Sequence, residues 1–374
     1  MKRARCIAIA MSALILLAWG AQAQAKAEYV GDDKCKMCHN DIYETYIKTG
    51  HPYKIQKING GPPSYPPGTS PGVPNPPKGM SWDDVTYVIG GYGWKARFMD
   101  TEGYILTGDK DRQYNLANAD IDTETNWSGY SAKTAPRKPY DKCGTCHTTG
   151  WVKTGKDGPH QDGLPGIHGT FAQPGVRCEA CHGPGSEHMA NPGGVDMSKA
   201  ENCGECHRRG DVTQIDAKGG LVRHHEQYED LLASPHKDLA CGTCHNPHKG
   251  VKYKQGGVKS SQETCLTCHA NQTVKVKGKE KAECTSCHMP RIAKSAMAVK
   301  HQFKGGEVPE GDIRGHIFRI NLDPEWSMFT DDGKLVRVDD QKKAYMTVEY
   351  TCLSCHNDKD KAWALDAGKK VHGG

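Results

Sequence analysis

One five-residue pattern, repeated eight times, constrains this chain more than any other feature. Cys-x-x-Cys-His occurs at Cys35/Cys38/His39, Cys143/Cys146/His147, Cys178/Cys181/His182 and Cys203/Cys206/His207. The second half adds Cys241/Cys244/His245, Cys265/Cys268/His269, Cys284/Cys287/His288 and Cys352/Cys355/His356. Of 17 cysteines, only Cys6 stands outside the pattern. One helical turn brings both thiols to the same side and leaves the imidazole next to them. That arrangement is the attachment signature of c-type haem, with thiols for the two vinyl groups and the histidine for the iron. A disulfide framework needs no histidine after each pair. Zinc sites do not carry a fixed Cys-His ending eight times over, and redox Cys-x-x-Cys pairs come singly. Eight covalently attached haems c are therefore the expected cofactors.

The rest of the composition fits a chain whose core is supplied from outside. Over 374 residues there are only five Phe, 36% hydrophobic residues, 43 Gly and 21 Pro, with a mean hydropathy of −0.71. Such a chain has little apolar surface to set against its conformational entropy. The expected fold class is a multihaem cytochrome fold: mainly short α-helices and irregular loops around a haem core, with a small β-rich insertion.

Residues 1–25 read as a secretory signal peptide. Lys2, Arg3 and Arg5 precede an apolar run from Cys6 to Trp19, and small residues follow before a cut after Ala23 or Ala25. The run is shorter than a membrane span. Export to the periplasm or the cell surface is the expectation. The formal charge of +5 loses its leader residues on export, and sixteen haem propionates would outweigh the remainder. The basic run Lys275–Lys281 is read as an exposed loop, so no nucleic-acid partner is expected.

Residues 26–79 hold the first haem motif, a helix over Asp41–Lys48 and a segment, Gly60–Gly79, with eight prolines, read as a linker or extended arm. Residues 80–140 carry no motif; Val85–Ile89 and Tyr104–Thr107 read as strands around a turn at Thr101–Gly103. Motifs two to four fall within 141–210 and five to seven within 211–300. The eighth follows strand-like residues Leu335–Val338 in 301–374. The irregular spacing excludes a strict repeat.

Two of these stretches carry a family resemblance. Cys143-Gly-Thr-Cys-His147-Thr-Thr-Gly-Trp151, with Gly175-Val-Arg-Cys178-Glu-Ala-Cys-His182-Gly-Pro-Gly185, resembles the cytochrome c-554-type multihaem cytochromes over about Gly31–His207. Cys241–His245 and Cys265–His269 resemble the doubled units of dissimilatory multihaem proteins. Cys284-Thr-Ser-Cys-His288-Met-Pro290 is similar to a motif of pentahaem nitrite reductases and their octahaem relatives. Those reductases place Lys where the catalytic haem's proximal His would be, whereas every motif here ends in His. The resemblance implies an electron carrier of anaerobic or dissimilatory respiration, with donor and acceptor cytochromes as partners.

Sixth ligands separate a wire from an enzyme, because a haem with two axial histidines is closed to substrate. Eleven histidines lie outside the motifs. His51, one short helix beyond the first motif, and His188, after Cys-His-Gly-Pro-Gly-Ser-Glu, are candidate distal ligands. So are His236 and His248 around the fifth motif, His224 (or His225), and His301 and His316 before the eighth. The eighth ligand stays open among His160, His168, His372, Met189 and Met289, or is absent. An electron-transfer protein is the expected function. The alternatives are a reductase or oxidase of a small nitrogen or sulfur compound at one open haem, and a subunit of an extracellular filament, for which self-association is required.

Overall fold

The computed structural model describes residues 27–372 except 199, 201, 202 and 273–282. The leader and the basic run lie outside the described residues. Among the described residues no helix is long and apolar enough to cross a membrane.

Strand is as abundant as helix, at about 23% against about 21%, which corrects the expectation of a mainly helical chain. The helices are short, many no longer than the motif they carry, such as Cys178–His182 and Cys284–His288. Among the described residues the longest α-helix, Lys361–Gly368, has 8 residues. Helices this short are not stable alone, whereas the sheets bury their faces against side chains of their own.

The first sheet has seven strands: β1 (Ile55–Lys57), β2 (Tyr87–Gly90), β3 (Lys95–Met99), β4 (Ile105–Leu106), β5 (Gly108–Asn115), β6 (Asn126–Tyr130) and β7 (Arg137–Lys138). Its order is β1-β2-β3-β4-β7, and β5 pairs with β3 and β6. Side chains alternate between faces. Tyr87, Ile89 and Met99 join Ile105, Tyr140 and Ile167 in one apolar cluster. Val88, Ala96 and Phe98 join Val73, Tyr114 and Leu116 in another. By the same alternation Lys95 and Arg97 share the face of Met99. The proline-rich segment packs on the sheet: Val73 is buried, the Tyr65 hydroxyl donates to the Gly90 carbonyl at 3.0 Å and that of Ser70 to Gly91 at 2.7 Å.

The second sheet has four strands, Ala217–Lys218, Leu221–Arg223, Ala293–Phe303 and Gly306–Ile313, in that order. Its parallel pairing sets Val222 opposite Ala293, so the chain leaves the sheet directly into His224 and His225. The long hairpin Ala293–Ile313 is bulged near its base. There the buried Asp312 carboxylate accepts the backbone N–H groups of Ser295, Ala296 and Met297. The Trp94 indole donates to the Asp312 carbonyl at 3.0 Å, and the Lys95 ammonium to the Ser295 carbonyl. These bonds join the two sheets beside His224. Leu335–Val338, read as strand-like, forms isolated bridges.

Candidate haem-binding sites

Each motif closes a turn on itself. The amide of the motif histidine donates to the carbonyl of the first cysteine at 2.9 Å for His39, His207, His245 and His356, and at 2.8 Å for His269. All sixteen cysteines are free thiols, which excludes disulfides among the described residues. A cavity of about 4180 Å³ runs through the molecule, walled by cysteines of all eight motifs. A single drug-sized ligand occupies a pocket of roughly 300–1,000 Å³, so this space suits several large groups. Large exposed apolar side chains mark it too: Tyr29, Met37, Ile42, Met189, Leu239, Val251 and Val258 all line it. Apolar macrocycles seated in the cavity would cover them. The residues present fit haem.

Six motif histidines each face a second imidazole. Ring centres lie 6.3 Å apart for His39–His188 and His51–His207, 6.0 Å for His182–His248, 6.1 Å for His236–His269 and His245–His316, and 5.8 Å for His288–His372. Imidazole nitrogen binds a metal at about 2 Å, and the ring centre lies farther out, so two rings bracketing one iron sit about 6 Å apart. Backbone carbonyls accept the Nδ1–H of several of these rings: Met197 for His182 at 2.6 Å, Phe318 for His288 at 2.8 Å and Val195 for His188 at 2.9 Å. That bond fixes the tautomer that leaves Nε2 free for a metal. Burial lowers His51 and His316 to about 3 and His207 to about 4, which keeps these three rings neutral, as ligation requires.

Five of the seven nominated distal residues, His51, His188, His236, His248 and His316, thus stand opposite a motif histidine. His301 does not; its Nε2 pairs with Glu310 at 2.6 Å on the hairpin. His224 does not; its ring meets His225 at 4.4 Å, edge to face. His160 and His168 face each other at 6.1 Å, not a motif histidine. His372 was among the open alternatives, and no local signal in a terminal tail singles it out. Helix Lys361–Gly368 swings it back towards His288. His147 and His356 have no facing imidazole among the described residues. His147 Nδ1 donates to the Lys54 carbonyl at 3.1 Å, and the His356 ring lies 4.9 Å from Trp363.

Glu179, inside the third motif, organises the first. Its buried carboxylate accepts the amides of Val30, Gly31 and Gly185, each at 2.8 Å. Gly31 precedes the helix Asp32–Lys36 that carries Cys35, and Gly185 precedes the helix Ser186–Ala190 that carries His188. One carboxylate therefore sets both sides of the His39–His188 pair. Gly144 is required for another reason: a Cβ there would lie 2.0 Å from the Trp151 ring.

The motifs also touch one another, their thiols standing in for thioether sulfurs. The thiol of Cys35 interacts with that of Cys178, Cys146 with Cys206, and Cys203 with Cys241. Cys181 is within electrostatic reach of Cys206, Cys244 of Cys265, and Cys287 of Cys352. His236, facing the sixth motif, is within reach of His288 of the seventh. The contacts trace a line through motifs 1, 3, 4, 5, 6, 7 and 8, with motif 2 attached at motif 4.

Comparisons with known proteins converge on the same class. The family model for cytochrome c554 and c-prime matches residues 110–183, and that for the doubled CXXCH motif matches 234–274. The chain is 27% identical over 193 residues to the dissimilatory sulfite reductase MccA of Wolinella succinogenes, across 40% of this chain and 27% of that protein. It is 24% identical over 256 residues to the multiheme cytochrome MtrA of Shewanella baltica, across 66% of this chain and 60% of that one. The chain thus spans about a quarter and about three fifths of these relatives. In fold it is similar to the octaheme sulfite reductase MccA (TM-score 0.58, 19% identity, 94% of this chain and 68% of that one). It is also similar to the outer cell wall cytochrome OcwA (TM-score 0.56, 17% identity, 91% and 86%). The site and these likenesses define a c-type cytochrome that binds haem through Cys-x-x-Cys-His motifs. More particularly, the chain is a multihaem cytochrome with doubled motifs in its C-terminal half.

Proposed function

We propose that the chain is an exported octahaem cytochrome that passes electrons between redox proteins in anaerobic or dissimilatory respiration. The observation that carries this reading is the set of six facing imidazole pairs at 5.8–6.3 Å. Each pair would hold its haem from both sides and bar a substrate from the iron. The sixteen cysteines would tether the groups, with His39, His147, His182, His207, His245, His269, His288 and His356 as proximal ligands. His188, His51, His248, His316, His236 and His372 would be the distal ligands for six of them. Bound haem supplies a one-electron ferric–ferrous couple at each motif. The chain's part is to orient, bury and electrically tune each one.

The line of touching motifs supports a continuous route whose ends lie at the first and eighth motifs. Cys38, Cys203, Cys268 and Cys355 are exposed, so motifs at both ends and along the line could meet donor and acceptor proteins through small interfaces. The N-terminal leader pattern supports export.

Spectroelectrochemical titration of the purified protein tests the reading. Eight one-electron equivalents per chain are expected, with the reduced protein re-oxidised by a ferric acceptor cytochrome. Fewer than eight equivalents, or re-oxidation only by a small-molecule substrate and by no cytochrome, would overturn it.

A further inference from the structure

Two histidines outside the haem cavity repeat the geometry of the haem-facing pairs. His160 and His168 lie on the loop between the strands Val152–Lys153 and Gly169–Thr170, which pair antiparallel with Lys153 opposite Gly169. Their ring centres are 6.1 Å apart and their planes are inclined at 44°. His245 and His316, the proposed axial pair of the fifth motif, stand 6.1 Å apart at 41°. Yet neither His160 nor His168 lines the haem cavity, and no Cys-x-x-Cys-His motif falls within the loop. The pair is nevertheless held ready for a ligand. His160 Nδ1 lies 2.7 Å from the Ile167 carbonyl; a carbonyl only accepts, so Nδ1 carries the proton and the Nε2 lone pair is left for a metal. No hydrogen bond among the described residues occupies the ring nitrogens of His168. Its backbone is fixed instead: the amide donates to the Tyr140 carbonyl at 3.0 Å, and the carbonyl accepts the Thr154 amide at 3.2 Å. The Thr154 hydroxyl in turn donates to the carbonyl of Pro159, next to His160, at 2.6 Å. Both histidines are half-buried, so an ion can reach them from solvent and finds a site already in place.

We propose that His160 and His168 form a binding site for one divalent transition-metal ion, held by two imidazoles with water in the remaining positions. The donor set selects the ion. Imidazole nitrogen suits copper, zinc and nickel, whereas calcium and magnesium take oxygen ligands. Among the described residues no acid or thiol completes a group of three metal-binding side chains. Asp162, two residues beyond His160, is already engaged by Lys57 at 2.7 Å and by the Tyr87 hydroxyl at 2.6 Å. By the general order of divalent affinities, Cu2+ should bind more tightly than Zn2+. The two histidines come from opposite ends of the segment 160–168, so the ion would also clip that segment closed. The site stands apart from the haems and does not depend on how any of them is ligated.

The test uses the haem-loaded protein without a polyhistidine tag, freed of loose metal by a chelator. Cu2+ is titrated in and followed by its paramagnetic resonance signal, read as a difference from the metal-free protein; Zn2+ is followed by calorimetry. One equivalent per chain is expected, with copper splitting from two imidazole nitrogens, and Mg2+ should give no heat. His160→Gln and His168→Gln should each weaken Cu2+ and Zn2+ at least tenfold, whereas His301→Gln leaves both unchanged. Soret spectra identical to the parent's show that the variants keep the haem fold. The site is overturned if the parent binds neither ion, or if both loop variants bind them as the parent does. Loss of the equivalent in His224→Gln but in neither loop variant overturns it too, since the ion then sits elsewhere.

Discussion

Replacing Glu179 by alanine should unsettle the first haem without touching any of its ligands. Its carboxylate accepts three amides at 2.8 Å, those of Val30, Gly31 and Gly185, and is itself 2% exposed. A hydrogen bond to a charged group contributes roughly 1.5–3 kcal/mol. Val30 and Gly31 are only half-buried and can turn to water, whereas the Gly185 amide stays buried. Glu179→Ala should therefore cost about 3–5 kcal/mol, nearer the lower end if water enters the space left by the carboxylate. Glu179→Gln, which keeps one carbonyl oxygen, should cost about half of that. With a urea slope of about 3 kcal/mol/M, the alanine variant's midpoint falls by about 1 M or more. The helix that carries His188 loses its anchor in the same stroke. Urea melts and low-temperature paramagnetic resonance of parent, glutamine and alanine variants check both effects, and the low-spin signal of one haem should shift in the alanine variant. A midpoint within about 0.2 M of the parent, with an unchanged spectrum, would refute the reasoning.

Other consequences follow from particular residues. His372→Ala, or removal of the last four residues, should leave the haem at His288 with one axial ligand and raise CO uptake by one haem per chain, counted optically. Gly144→Ala has no room beside Trp151 and should destabilise by about 1–3 kcal/mol or more, read from the thermal midpoint. Chain produced without haem maturation should lack cooperative unfolding by circular dichroism, because the cavity removes the apolar centre that the macrocycles would fill; a sharp transition would contradict that.

The Cys-x-x-Cys-His motifs could be read directly from the sequence, because their thiols and imidazole lie within one turn and need no tertiary contact. Some of the proposed distal residues follow a motif closely, whereas His236 and His316 were nominated from their places before the fifth and eighth motifs. His51 and His188 come within about a dozen residues of a motif histidine, whereas His372 reaches His288 only through a terminal helix whose direction the sequence does not announce. His301 looked well placed by its gap in the chain. The hairpin register instead puts it opposite Val308, two residue pairs from Glu310 and on the same face of the strand pair. The second sheet was unread: its pairing of Val222 with Ala293 joins residues some seventy positions apart, and the Ala-rich strand Ala293–Phe303 shows little alternation. The low apolar content suggested helices on haem, yet the sheets build small cores of their own.

The central claim is that six haems are closed by paired imidazoles and two are not. The ferric protein's low-temperature paramagnetic resonance spectrum, together with CO uptake by the reduced form, tests it most directly. The account predicts low-spin bis-histidine signals from six of eight haems and CO at no more than two. CO binding at three or more haems, or high-spin intensity from more than two, would contradict it.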